Sequence, residues 1–242
     1  MKTRSELKAE ARKLLAGNWG KAILLNIISI VGVLLVGVFA LGVITLIAVM
    51  AKHAAETGDS SVIDNYTSGG GSRGGGFVGG LISTFIGTGI LYTLLDWLRT
   101  KNNDFSPVRG MFSIFSKEYF VPVLVLYILQ TIFTFLWTLL FVIPGIIKSY
   151  AYSQTYFIYK DINASGNENH LNYLDYITLS RELMKGHKFE FFVLQLSFIG
   201  WWILGVCTFG VAFIWIIPYY QTTIAAYYKS LAGDKFLNYQ AA

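Results

Sequence analysis

The chain reads as an all-α, polytopic membrane protein. Six transmembrane helices are expected as three hairpins, each preceded by an amphipathic interfacial helix. Three observations lead there. Only 14% of the residues are charged and 54% are hydrophobic, whereas an ordinary soluble domain carries about 25% charged. Apolar runs approach or exceed the roughly 20 residues that a bilayer crossing needs, and the longest, residues 22–51, contains no charge. The basic residues cluster between alternate runs, as the positive-inside rule requires of a chain with both termini in the cytoplasm.

Residues 3–17 open with Thr3 and Glu6 at capping-box spacing. Leu7, Ala11, Leu14 and Leu15 fall on one helical face and Arg4, Lys8, Arg12 and Lys13 elsewhere, so this is a basic amphipathic helix with Gly17 as its stop. It either docks on an anionic leaflet or holds the N-terminus inside by charge. The first span is expected at 22–50. Its apolar run is about twice that of a signal peptide and lacks a small-residue cleavage site, so it reads as retained.

A flexible outer loop is expected at 52–76, with a Gly-rich tract at 69–76. The tract lacks the Gly-Lys-Ser/Thr ending of a phosphate loop. The second span, 77–97, carries Gly79, Ser83 and Gly87 four residues apart, a stripe suited to helix packing within the monomer or in a homo-oligomer. Asp96, Trp97 and Arg99 mark the interface after it. Residues 100–118 mix Lys101, Arg109 and Lys117 with Met111, Phe112 and Phe115, a mixture that beside a span reads as interfacial and not as a nucleic-acid site. Ser106-Pro107 is a good helix start.

The third and fourth spans are expected within 119–160, the fifth at 189–206 and the sixth at 211–229. Residues 161–170 read as a plain polar loop, in which His170 has no partner at metal-ligand spacing, and residues 172–187 as a further amphipathic helix.

Three entry segments share a pattern: Arg12, Arg109 and Arg181 are each followed by two large apolar residues, a basic residue and a span. Arg109 and Arg181 are 72 apart, as are Glu118 and Glu190, while Pro144 and Pro218 are 74 apart. The chain is therefore expected to be a single membrane domain, 1–242, made of repeat-like units at 3–98, 105–160 and 172–231. By analogy with the last unit, whose turn is expected near residues 207–210, the second hairpin should turn near 133–136. That places Pro144-Gly145 and Pro218 as helix breaks near mid-bilayer.

Residues 143–156 (I-P-G-I-I-K-S-Y-A-Y-S-Q-T-Y) and 180–192 (S-R-E-L-M-K-G-H-K-F-E-F-F) resemble an uncharacterised family of bacterial integral membrane proteins, common in Gram-positive bacteria and known mainly as a domain of unknown function. The family is distantly similar to the membrane portion of some glycerophosphodiester phosphodiesterases, whose soluble catalytic domain is not expected here. The resemblance covers nearly the whole chain except the Gly-rich tract. It implies a plasma-membrane location and brings no catalytic residues.

Two functions from different classes follow. One is a non-enzymatic membrane protein acting through basic segments on membrane lipids, a protein partner or a second copy; each basic side chain near an anionic leaflet gains about 1 kcal/mol. The interfacial residues are then Arg12, Arg109 and Arg181. The other is a small transporter or channel. Broken helices often mark a binding site, and Lys148, Tyr152, Tyr156, Gln221 and Thr222 are the candidate polar cavity beside the breaks, with Lys148 its charged centre or merely a cap on freed carbonyls. No Ser/His/Asp constellation, metal-spaced cluster or paired intramembrane carboxylates suggest an enzyme. No cofactor is expected.

Overall fold

A computed structural model describes residues 2–57, 75–166 and 171–239. Helices dominate, and no strand occurs among the described residues. Most of the Gly-rich outer loop lies outside them, as does His170.

The first helix, α1 (Arg4–Leu15), begins with the expected capping box: the Glu6 amide donates to the Thr3 hydroxyl at 3.4 Å and the Thr3 amide to the Glu6 carboxylate at 2.7 Å. Gly17, at φ +77°, takes the left-handed turn after it. A short α2 (Trp19–Leu25) breaks at Asn26 before α3 (Ile27–Thr57). The first long helix thus takes in residues 52–57, expected as loop. The partner helix α4 (Gly75–Thr100) returns to α5 (Pro107–Met111), which starts at the expected proline, and a 3-10 turn (Ser113–Phe115) leads into α6 (Lys117–Leu140).

The second hairpin departs from expectation. It turns at Phe141, whose backbone is extended (φ −158°, ψ 142°), and α7 (Val142–Tyr152) folds back along α6. Pro144 is the third residue of α7. The amide it lacks is one of the first four in a helix, which have no intrahelical acceptor anyway, so Pro144 starts a helix and does not kink one. Gly145 lets the two helices close: a Cβ there would run into the Thr138 hydroxyl oxygen. The chain breaks instead at Ser153-Gln154, before α8 (Thr155–Ala164). Lys148 and Tyr152 therefore sit on one helix and Tyr156 and Tyr159 on the next, not on one continuous face. Because α8 runs to Ala164, Asp161, Ile162 and Asn163 are buried helix and not the expected loop.

The last unit is closer to its pattern. An Asn172-capped α9 (Tyr173–Leu183) leads through a turn to α10 (Lys188–Leu196) and α11 (Ile199–Cys207); the chain turns at residues 208–212 and ends with α12 (Phe213–Ala232). This turn is where it was expected. Pro218 lies inside α12, as expected.

Helix α12 is the hub, packed against α1, α2, α3, α4 and α11. The apolar face of α1 (Leu7, Ala11 and Leu15, all buried) lies on α12 and not on a leaflet. The stripe Ser83/Gly87 is not the tightest approach on α4. Among the described glycines of α4 the tightest is Gly89, where a Cβ would come within 2.5 Å of the Met111 carbonyl oxygen.

Three helical stretches among the described residues are long and apolar enough to cross a membrane: Gly80–Thr100, Lys117–Leu140 and Lys188–Cys207. Six are not supported. At 11 residues α7 reaches only about 16 Å, and α12 carries Gln221, Thr222, Thr223 and four tyrosines.

Candidate functional site

The ends of α4, α6, α8 and α12 meet in a buried polar network. Asp161 of α8 is 1% exposed and accepts a fork of two hydrogen bonds from the Arg99 guanidinium of α4, at 2.6 and 2.8 Å. Such a bidentate pair holds charge and direction together. The Tyr228 hydroxyl of α12 donates to the same carboxylate at 2.6 Å. Next along α8, Lys160 pairs with Asp96 and Asn163 donates to the Glu118 carboxylate. On the other side of α12, Lys229 donates to Glu10 at 3.1 Å and to the Leu98 carbonyl at 2.8 Å. Glu10 also pairs with Lys2 at 2.6 Å. Burial pushes the Glu10 carboxyl up, but the hydrogen bonds from Lys2 and Lys229 outweigh it and leave the group below the usual carboxylate range.

A second bond in this region has a clear cause. Pro122 lies inside α6 and cannot donate to the carbonyl four residues back, that of Glu118. The Tyr159 hydroxyl donates to that carbonyl at 3.1 Å. The break the chain compensates from a neighbouring helix is thus at Pro122. Likewise Tyr92 donates to the Tyr156 carbonyl at 2.7 Å, at the start of α8.

The sequence-expected cavity residues do not line one pocket. Tyr152 is buried, its ring 6.4 Å from that of Phe133. Tyr156 is half-buried on α8. Thr222 is buried and its hydroxyl donates to the Pro218 carbonyl at 2.7 Å, within its own helix. Gln221 lines a cleft of about 580 Å³ with Ser29, Gly32, Ser83 and Gly87. Lys148 lies elsewhere, in a pocket of about 340 Å³ with Arg181, Lys185, Lys188 and Glu182. Its ammonium sits 4.3 Å from the centre of the Trp137 ring, a cation–π contact across the α6–α7 hairpin.

Of the interfacial residues, Arg12, Arg109 and Arg181 are all exposed. Arg12 also reaches the Tyr219 hydroxyl. Beside Arg109 and Lys117 the side chains of Val108, Phe112, Phe115, Phe120 and Val121 are exposed as well.

The network residues Arg99, Asp161 and Tyr228 carry no signal in the sequence that pairs them. One hint was present: Phe157, Ile158 and Ile162 continue an apolar helical stripe past Lys160, which argues for α8 reaching beyond it. Among the described residues no three His, Cys, Asp or Glu side chains gather as a metal site.

Fold and site thus define an all-helical protein with helices apolar enough to cross a membrane, closed at one end by internally paired charges. Residues 1–150 and 139–235 match the model of a family described as "Protein of unknown function (DUF975)", and the chain belongs to that family. No curated protein and no solved structure matches it.

Proposed function

We propose that this is a non-enzymatic integral protein of the bacterial plasma membrane that acts through a basic cytoplasmic face on anionic lipid or on a protein partner. In this reading the chain crosses six times, α3, α7–α8 and α12 joining the three stretches named above, with both termini inside. The observation that carries it is the second entry segment, where exposed Phe112 and Phe115 stand beside exposed Arg109 and Lys117 at the foot of α6. Aromatic side chains immersed at the headgroup level, flanked by cations, are what an interfacial anchor requires. The network's ion pairs, Arg99 with Asp161, Lys160 with Asp96 and Lys229 with Glu10, engage one another, whereas Arg109 and Lys117 stand exposed.

The transporter reading rests on one polar cavity beside both prolines. It has less support, since Lys148 and Gln221 open into separate pockets.

The test places a spin label at Phe112 of the reconstituted full-length chain. Immersion should be deeper in bilayers rich in phosphatidylglycerol than in neutral ones, and Arg109→Glu with Lys117→Glu should abolish the difference. Equal depth in both bilayers for the native charges would overturn the lipid reading in favour of the protein partner.

A further inference from the structure

We infer that the pocket between α7, α9 and α10 binds the phosphate of an anionic phospholipid headgroup; this deepens the lipid-contact reading by naming one site. Four cations line it, Lys148 from α7, Arg181 from α9, Lys185 from the following turn and Lys188 from α10, against a single carboxylate, Glu182. Among the described residues none of the five has an ion-pair partner within 4 Å, unlike Arg99 and Asp161, Lys160 and Asp96, or Glu10 with Lys2 and Lys229. Like charges held together repel unless an anion neutralises them. Ordinary solvated lysines can stand on one helix face, but Lys148 is not one of them. It comes from a different hairpin, 33 residues before Arg181, and Trp137 holds it in place.

The surroundings select a lipid over a soluble anion. Ile147 and Phe189, the sequence neighbours of Lys148 and Lys188, are 47% and 73% exposed. Ile143 and Ile146 continue that exposed apolar surface along α7. A charged side chain set among hydrocarbon needs a partner, and a phosphate carried on acyl chains satisfies cations and hydrocarbon together. Lysines act as point charges on phosphate oxygens, and Arg181 can engage two at once. Glu182 is the one carboxylate lining the pocket, suited to accept from a hydroxyl of a glycerol headgroup.

Native mass spectrometry of the full chain in detergent tests this, with phosphatidylglycerol, phosphatidylcholine and soluble glycerol 1-phosphate as probes. The native chain should retain phosphatidylglycerol over phosphatidylcholine and hold glycerol 1-phosphate far more weakly. Lys148→Met should lower phosphatidylglycerol affinity about tenfold. Lys185→Gln with Lys188→Gln, which leaves the α6–α7 hairpin untouched, should do the same with an unchanged thermal melt. Lys235→Gln, exposed near the C-terminus and outside both the pocket and the second entry segment, should leave this binding intact. If the pocket variants bind like the native chain while Arg109→Gln with Lys117→Gln loses the lipid, the site is wrong and the broader lipid reading stands. Equal retention of both phospholipids by the native chain overturns both. Glycerol 1-phosphate binding as tightly as the lipid overturns the assignment to a lipid.

Discussion

The two proline-bearing helices of the second and third units look alike in sequence and do opposite work. Around Pro218 the helix is enclosed: Ile216, Ile217, Tyr219, Thr222 and Tyr228 are all buried, and the Thr222 and Tyr228 hydroxyls bond inside the protein. Around Pro144 the helix lies at the edge: Phe141, Val142, Ile143, Ile146 and Ile147 are exposed, and of α7 only Gly145, Ala151 and Tyr152 are buried. The difference teaches that a proline followed by polar residues specifies no role by itself. Position within the helix decides whether a carbonyl is freed, and burial decides whether the following polar groups must find partners or may face outward.

The comparison breaks most severely at the buried end. Asp161→Asn leaves the Arg99 guanidinium without its charge partner in a site that water barely reaches, so stability should fall by about 3–5 kcal/mol. A much smaller loss is expected when Arg99→Met, Asp161→Leu and Tyr228→Phe are made together, because no charge or hydroxyl is then left unpaired. Thermal melts of the purified protein in detergent give both numbers; a single variant as stable as the native chain would show that the network does not hold the helices.

At the edge the expected effect is steric. Gly145→Val puts a Cβ against Thr138 and should cost about 1–3 kcal/mol by forcing α6 and α7 apart. Distances between spin labels on the two helices should lengthen. An unaltered distance with unaltered stability would mean that the hairpin does not close at Gly145. The same substitution at Gly87, which has nothing within 4 Å of its would-be Cβ, should be mild.

The smallest effect sharpens the point about freed carbonyls. Tyr159→Phe removes the donor to the Glu118 carbonyl and should cost about 1 kcal/mol. In a Pro122→Ala background the residue-122 amide can supply that carbonyl itself, so the same substitution should cost measurably less. Equal costs in the two backgrounds would show that the tyrosine does not serve the proline's gap.

Much of the fold was legible beforehand because its signals are local. The Thr3–Glu6 capping box, the Pro107 helix start, the left-handed Gly17 and the last hairpin's turn each depend on a few consecutive residues. The second hairpin's turn was not, because it was inferred from the spacing of another unit. Twenty-four consecutive residues of α6 stayed helical through Pro122, with Tyr159 compensating from another helix, and that moved the turn to Phe141.

The sequence by itself determined the helical class, the apolar runs and the basic lead-ins, since periodicity, caps and composition act within a turn or two of the chain. Tertiary structure alone decided which charges meet. Arg99 and Asp161 are 62 residues apart and Asp161 and Tyr228 are 67 apart, and no local pattern records such a distance. Whether a charge ends up sealed with a partner, as Asp161 is, or open to one, as Lys148 is, follows from how the helices pack. Desolvation then makes the first arrangement obligatory and leaves the second free for a ligand.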